Sequence, residues 1–89
     1  MAEKVYTIIN EAGLHARTAT LLVNIVNKFA SDISLEYNEK KVNLKSIMGV
    51  LSLGVTHGAE VKVTVTGDDE DQALVALTET MKENKLIRE

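Results

Sequence analysis

The spacing of apolar residues along this chain changes period repeatedly, and this alternation restricts the fold more than any other feature. Alternating apolar and polar residues predict strands around 32–37 and 60–66, and β-branched and aromatic residues predict a strand around 3–9. A short strand is expected around 41–43, after the turn at 38–40. Helical spacing predicts helices around 16–27 and 44–53 and a third after the acidic turn 67–71. The order strand, helix, strand, strand, helix, strand, helix therefore predicts a two-layer α+β domain, with three helices against one mainly antiparallel sheet.

Apolar positions that share one face of each predicted element form the expected core. They are Tyr6, Ile8, Ala19, Leu22, Val23, Val26, Ile33, Leu35, Tyr37, Leu44, Val50, Leu53, Val61, Val63, Val65, Ala73, Leu74, Leu77 and Met81. Leu21 and Ile25 lie beside the main stripe of the first helix. They either widen its buried face or form the rim of a docking surface, and we favour the first interpretation.

The turn between the second and third predicted strands reads Asn38-Glu39-Lys40. A two-residue hairpin turn needs positive φ at both central positions and therefore prefers Asn-Gly. Because Glu39 is not glycine, we expect a looser or longer turn here.

Composition excludes several classes of protein. The chain has 89 residues, no cysteine and a formal net charge of −3, and 3% of its residues are aromatic. Disulfides and thiolate chemistry are therefore excluded. A nucleic-acid binder would usually carry a basic stripe with stacking rings, and this chain shows neither. Since no apolar run approaches the length of a membrane span, we expect a cytoplasmic protein with no membrane insertion. We also expect it to be a monomer.

Residues 13–20 carry the clearest chemical signal, because a glycine turn places His15 at the start of the first predicted helix, with Arg17 two residues later. The first N–H groups of a helix lack partners within the helix and carry partial positive charge, so they bind anions. Neutral imidazole is a nucleophile, and guanidinium matches phosphate oxygens. The stretch therefore predicts phosphoryl transfer at His15, assisted by Arg17. Walker-type glycines and carboxylate pairs are absent, so we expect no autonomous hydrolysis.

Ser46 and its apolar neighbours form a second candidate. Ser46 is expected to cap the second predicted helix. Ile47, Met48 and Leu51 then share an outer face, and small proteins rarely leave such a patch without a partner. Because a phosphate on Ser46 would stabilise a helix N-terminus, we expect it to act on a docking surface rather than on the fold.

Two further polar features of the sequence are explained without a functional role. His57 is expected in a loop, with no acids at metal-ligand spacing. The acidic run 68–71 is expected to be the solvated start of the third helix, where the dipole favours negative charge. Its spacing does not match a calcium loop. We therefore expect neither a metal site nor a cofactor.

The motif Gly-Leu-His-Ala-Arg at 13–17, followed by Ala19-Thr20, resembles the phosphohistidine motif of HPr. HPr is the phosphocarrier family of the bacterial phosphoenolpyruvate:sugar phosphotransferase system (PTS). Residues 35–38 and 42–50 resemble the regulatory serine region of HPr from low-GC Gram-positive bacteria. Because the resemblance extends over essentially the whole chain, residues 1–89 are interpreted as one HPr domain.

The resemblance implies a fold, a reaction and a set of partners. The fold would be an open-faced β-sandwich with its strands in the order first, fourth, second, third. His15 would accept a phosphoryl group on Nδ1 from phosphorylated enzyme I and donate it to sugar-specific IIA domains, with Arg17 holding the phosphate. The protein would thus be a carrier and not an autonomous catalyst.

The resemblance also implies regulation. HPr kinase/phosphorylase would phosphorylate Ser46, which would slow transfer at His15. The phosphorylated form would bind a transcription factor that governs catabolite repression. The implied docking residues are Thr20, Asn24, Ile47, Met48 and Leu51.

Thr18 departs from the family motif, which reads His-Ala-Arg-Pro. Proline presets φ for a first helical turn, lacks an N–H and biases the preceding residue away from the α region. With Thr18, Arg17 is freer to join the helix, and one more N–H is available near the phosphate. Since capping and dipole effects are worth about 0.3–2 kcal/mol, we expect a changed rate or affinity rather than loss of the carrier role.

Two other functions stay open at this point. An HPr-like module could regulate by docking alone, without an active phosphohistidine, although intact His15 and Arg17 disfavour this. A small nucleic-acid-binding module is disfavoured by the acidic charge and the scarcity of aromatic residues.

Overall fold

The structure, a computed structural model, describes residues 1–88, so Glu89 of the expected domain lies outside the described residues. The elements follow in the predicted order. They are β1 (Ala2–Thr7), α1 (Ala16–Val26), β2 (Asp32–Tyr37), β3 (Lys40–Asn43), α2 (Ile47–Ser52), β4 (Glu60–Thr66) and α3 (Glu70–Glu83). None of the helices formed by residues 1–88 has the length and apolar character needed to span a bilayer.

The four strands form one antiparallel sheet in the order β1-β4-β2-β3, which confirms the expected topology. Tyr6 pairs with Val61, and Leu35 pairs with Val63. Because side chains alternate between the two faces of a strand, this register puts the apolar positions on the helix-covered face. The opposite face is mostly polar, apart from the exposed Val5, and includes an ion pair between Lys62 and Glu3 at 3.6 Å.

The core between the sheet and the helices agrees closely with the predicted set. Almost every expected position is buried, whereas Tyr37 and Leu74 are half-buried and pack against its edge. Ile25 also packs against the core, which confirms the favoured interpretation of that position. Burial of one large aliphatic side chain contributes about 1.5–3 kcal/mol, so this face stabilises the sheet–helix arrangement.

The hairpin between β2 and β3 corrects the sequence-based expectation. Tyr37 pairs with Lys40, so the turn has two residues and is neither looser nor longer. Asn38 and Glu39 both have positive φ, at 54° and 68°. The left-handed conformation costs a non-glycine residue about 1–2 kcal/mol, a cost that the pairing of β2 with β3 offsets.

Asp69 corrects a second expectation, because it is not simply a solvated residue at a helix start. Its carboxylate accepts the N–H groups of Ala30 at 2.9 Å and Ser31 at 3.1 Å, and it also accepts the Ser31 hydroxyl. The Ser31 hydroxyl and then the Ala30 N–H hold the pKa of Asp69 below its ordinary value. This carboxylate thereby ties the start of α3 to the loop before β2.

The end of α3 places the C-terminal segment beside the first loop of the chain. Lys85 has a φ of 58°, and the Leu86 N–H donates to the Met81 carbonyl at 2.9 Å. This is the pattern of a Schellman cap, with lysine in the position that usually holds glycine. The Ile9 N–H then donates to the Leu86 carbonyl at 2.8 Å. These bonds position Leu86 against the segment that leads to His15.

Candidate functional site

His15 is the N-cap residue of α1, as the sequence predicts. Its backbone is extended, with φ −101° and ψ −174°, and its carbonyl accepts the Ala19 N–H at 2.8 Å. The ring nitrogen Nδ1 accepts the backbone N–H of Arg17 at 3.3 Å. Since an accepting nitrogen carries a lone pair, the neutral ring holds its proton on Nε2. The unprotonated nitrogen therefore faces the N-terminus of the helix.

The loop in front of His15 is held closely against the segment that follows α2. The Leu14 N–H donates to the Val55 carbonyl at 3.1 Å. Gly13 has a φ of +66°, and a Cβ at this position would lie 2.3 Å from the Val55 oxygen. Position 13 therefore needs glycine both for its backbone conformation and for the close approach of Val55.

Thr18 contributes a hydroxyl that sequence analysis did not consider. It is the third helical residue, it is buried, and its Oγ1 accepts the His15 backbone N–H at 2.9 Å. Together with the bond from Arg17 to the His15 ring, this gives a reciprocal cap of the type usually formed by serine and glutamate. The sequence feature that could have predicted this cap is a hydroxyl residue three positions after the N-cap.

A cavity of about 560 Å³ lies beside His15 and collects several predicted residues. Its lining includes Arg17, Thr20 and Asn24, whose side chains are exposed. Leu21 is half-buried and also lines it, so at this position the structure supports the rim of the site rather than the favoured wider core face. A second cavity of about 580 Å³ lies between strand residues of β2, β3 and β4, and no histidine lines it. The chemistry therefore points to the cavity beside His15.

Ser46 caps α2, which confirms its predicted position, although the helix is shorter than the predicted 44–53. Its backbone is extended, with φ −110° and ψ 116°. Its Oγ accepts the Gly49 N–H at 3.1 Å. The hydroxyl is half-buried, so a phosphate attached there would project from the start of α2.

The outer face of α2 is less uniform than the sequence suggested. Met48 is 78% exposed and Ile47 is 37% exposed. Leu51 is half-buried and packs against the core, so it contributes only part of its surface to this face. The exposed apolar patch therefore centres on Met48.

His15 and Ser46 lie near opposite ends of α1. Asn27, the C-cap residue of α1, donates from Nδ2 to the Lys45 carbonyl at 3.4 Å. The Lys45 ammonium donates to the Phe29 carbonyl at 2.7 Å. An 11-residue helix is about 16 Å long, so neither side chain reaches the other.

His57 lies exposed in the loop between α2 and β4, as expected. Within residues 1–88, histidine, aspartate and glutamate side chains form no group of three that could hold a metal ion.

Comparison with known proteins gives a consistent result. Residues 2–83 match the protein family described as PTS HPr component phosphorylation site. The histidine-containing phosphocarrier protein of Mycoplasma has 40% sequence identity, and the match covers 99% of this chain and 100% of that chain with a TM-score of 0.96. HPr-C-His from Thermoanaerobacter tengcongensis has 48% identity, with 100% and 99% coverage and a TM-score of 0.89.

A third similar structure bears on the expected monomer. Crh, the catabolite repression protein of Bacillus subtilis, has 43% identity, and the match covers 93% of this chain and 95% of that chain with a TM-score of 0.73. Its crystal structure is a dimer with a swapped domain. A monomer is therefore not a state that every similar protein adopts.

Proposed function

Because this chain belongs to the HPr family of PTS phosphocarrier proteins, we propose that His15 is the residue that carries the phosphoryl group. The observation that supports this most strongly is the hydrogen bond from the Arg17 N–H to His15 Nδ1 at 3.3 Å. It identifies Nδ1 as the ring nitrogen with a lone pair and orients that lone pair toward the positive end of α1.

The proposed step is a displacement at phosphorus. The Nδ1 lone pair of His15 forms a bond to phosphorus, the bond to the donor atom breaks, and its electron pair remains on the donor. Nε2 keeps its proton, so the phosphorylated ring is positively charged beside a negatively charged phosphoryl group. The Arg17 N–H leaves Nδ1 and donates to a phosphoryl oxygen, while the Arg17 guanidinium neutralises charge.

Membership of the family supports a particular donor and acceptor for this proposed step. Phosphorylated enzyme I supplies the group, and sugar-specific IIA domains receive it. The chain supplies an exposed nucleophile in an open cavity, which suits transfer between proteins better than hydrolysis of a bound small molecule. We therefore infer a carrier that is not an autonomous catalyst and that works in the cytoplasm, where these partners act.

Incubation with phosphoenolpyruvate and enzyme I from a Gram-positive bacterium tests this role. We expect one acid-labile phosphate per chain in the wild-type protein and none in His15→Ala. His57→Ala is the matched control, because His57 is also exposed but lies in another loop. No incorporation into a folded wild-type protein, or retained incorporation in His15→Ala, would contradict the proposal.

We also propose that Ser46 is the regulatory site, phosphorylated by HPr kinase/phosphorylase with ATP. Its Oγ is half-buried and already accepts one N–H, from Gly49, and a phosphate would retain acceptor atoms for that donor. Because Ser46 and His15 lie near opposite ends of α1, we infer that the phosphate slows transfer through partner docking and not through contact with His15.

The proposed docking surface consists of Thr20, Asn24, Ile47, Met48 and Leu51. These residues lie on α1 and α2, which pack against each other, so the surface extends from the His15 cavity to the Ser46 region. Enzyme I, the IIA domains, the kinase and the catabolite-repression transcription factor are the inferred partners.

Treatment with HPr kinase/phosphorylase and ATP tests the regulatory role. We expect one acid-stable phosphate that is lost in Ser46→Ala and retained in Ser52→Ala, a serine at the other end of the same helix. The phosphorylated protein should then accept phosphate from enzyme I more slowly. Phosphorylation at Ser46 with no uptake at His15 would instead favour a purely regulatory docking module.

A further inference from the structure

Two side chains outside the His-Ala-Arg motif converge on the loop that carries His15. Asn10 Nδ2 donates to the Gly13 carbonyl at 2.7 Å. The Thr18 hydroxyl lies 3.4 Å from the same carbonyl oxygen and 3.1 Å from the His15 carbonyl, and it donates its single proton to one of them at a time. Thr18 Oγ1 also accepts the His15 N–H. The backbone on both sides of Leu14 is therefore fixed by side chains.

These bonds are partly shielded from water, and the one between Thr18 and the Gly13 carbonyl is buried. Thr18 is 9% exposed. Asn10 is half-buried, and its Oδ1 is buried without a hydrogen-bond partner among residues 1–88. Hydrogen bonds in such surroundings are stronger than at the surface. Within residues 1–88 the Asn10 side chain has only the bond to Gly13, which therefore fixes the orientation of its amide.

The other side of the loop is fixed as well. Gly13 packs directly against Val55 and Thr56, and Leu14 bonds to the Val55 carbonyl at 3.1 Å. The loop therefore has backbone contacts on one side and the Asn10 and Thr18 side chains on the other. Loss of either side chain removes a restraint on one side only, so the loop would shift without loss of the fold.

We propose that Asn10 and Thr18 are positioning residues for His15 and act together through the Gly13 carbonyl. They hold the loop so that Nδ1 faces the N-terminus of α1, although neither side chain touches the reacting atoms. This inference rests on the proposed role of His15 as the phosphoryl acceptor. Since a misplacement of about 1 Å can cost a hundredfold in rate, two such restraints have a measurable effect on transfer.

Hydrogen exchange gives a readout that does not depend on activity. The His15 amide donates to Thr18 Oγ1 at 2.9 Å, so it should exchange more slowly than a free amide at a helix start. We expect Thr18→Val, which keeps the shape of the side chain, to accelerate exchange at His15 about tenfold, whereas Thr18→Ser restores protection. Unchanged exchange in Thr18→Val would overturn the hydrogen-bond assignment.

Transfer kinetics test the functional part. With enzyme I as donor, we expect Thr18→Val to lower kcat about ten- to a hundredfold with little change in KM, and Thr18→Ser to stay within about threefold of the wild type. Thr78→Val is the matched control, because Thr78 is equally buried and its hydroxyl bonds to Tyr6 instead. An equal loss of kcat in both valine variants would show that Thr18 has only a structural role and would contradict the proposal.

A double-mutant cycle tests whether the two residues act together. Asn10→Ala should lower kcat by itself. Because Asn10 is only half-buried, this variant can still be measured if Thr18→Val folds poorly. Combined with Thr18→Val, its effect should be smaller than the product of the two single effects. Fully multiplicative effects would contradict a shared carbonyl. A wild-type protein that takes up no phosphate would instead contradict the proposed function itself.

Discussion

The backbone N–H of Arg17 donates to Nδ1 of His15 over 3.3 Å, so the cap of α1 and the proposed nucleophile are the same atom. In the unphosphorylated protein this donor satisfies one of the unpaired groups at the helix start. Once Nδ1 carries phosphorus, the same donor can bind a phosphoryl oxygen. One N–H thus serves both proposed states of the carrier without a change in the helix.

Replacement of Thr18 by proline, the residue of the family motif, should slow transfer without abolishing it. Proline has neither a hydroxyl nor a backbone N–H. The change therefore removes the acceptor of the His15 N–H, the donor to the Gly13 or His15 carbonyl and the N–H of residue 18. Each such interaction is worth about 1 kcal/mol, so the combined effect should stay below a thousandfold. Rates of transfer from enzyme I measure it. A larger loss would show that Thr18 does more than cap and position.

Replacement of Gly13 by alanine should destabilise the protein more than the same change at Gly54. Both glycines have left-handed backbones, with φ +66° and +65°. Each alanine therefore costs about 1–2 kcal/mol for its conformation. Only at Gly13 would the new Cβ meet another atom, the Val55 oxygen at 2.3 Å, which adds about 1–3 kcal/mol. Urea unfolding of both variants gives the difference, and equal destabilisation would contradict the close approach.

Glycine at position 39 should stabilise the hairpin between β2 and β3. Glu39 has a φ of 68°, a conformation that glycine adopts without strain. Relief of that strain exceeds the entropic cost of glycine, and we expect a gain of about 0.5–1 kcal/mol in the free energy of unfolding. Glu11→Gly is the control, because Glu11 is exposed and has no positive φ. A loss of stability in Glu39→Gly would rule out the two-residue turn.

Asp69→Asn should destabilise the protein at neutral pH and change its acid sensitivity. Because hydrogen bonds from Ser31 and Ala30 lower the pKa of Asp69, the folded state binds its proton less readily than the unfolded state. This contribution to stability is present above the unfolded pKa, near 4, and is lost as the pH falls through the folded value.

The stability difference between the wild type and Asp69→Asn should therefore shrink below about pH 4. Urea midpoints measured at neutral pH and across the acid range follow it, with Asp68→Asn at an exposed neighbouring carboxylate as the control. A difference that stays constant down to pH 2 would contradict the role of the Asp69 carboxylate.

The sequence predicted the elements and most of the core because periodicity reports which face of an element is buried. It could not predict the hairpin turn, because the pairing of Tyr37 with Lys40 overrides the preference of Glu39. It also missed the bonds from Asp69 to Ala30 and Ser31, which join residues almost forty positions apart. Local sequence carries little information about such contacts.

In the candidate site, too, local features could be predicted from the sequence and contacts between distant residues could not. Residues 13–17 identified His15 and its place at a helix start, since both depend on neighbouring residues. The cooperation of Asn10 with Thr18 was not predicted, because it requires the loop to bring both side chains to the Gly13 carbonyl. Leu51 was expected on the outer face of α2, and its packing against the core depends on the angle at which α2 meets the rest of the protein.

The most direct test of the account is the position of the phosphoryl group on the His15 ring. The protein, labelled with ¹⁵N in its histidines and phosphorylated by enzyme I and phosphoenolpyruvate, would be examined by NMR for coupling between phosphorus and a ring nitrogen. We predict coupling to Nδ1 of His15, the nitrogen that faces the Arg17 N–H. Phosphorylation at Nε2, or on another residue, would contradict it.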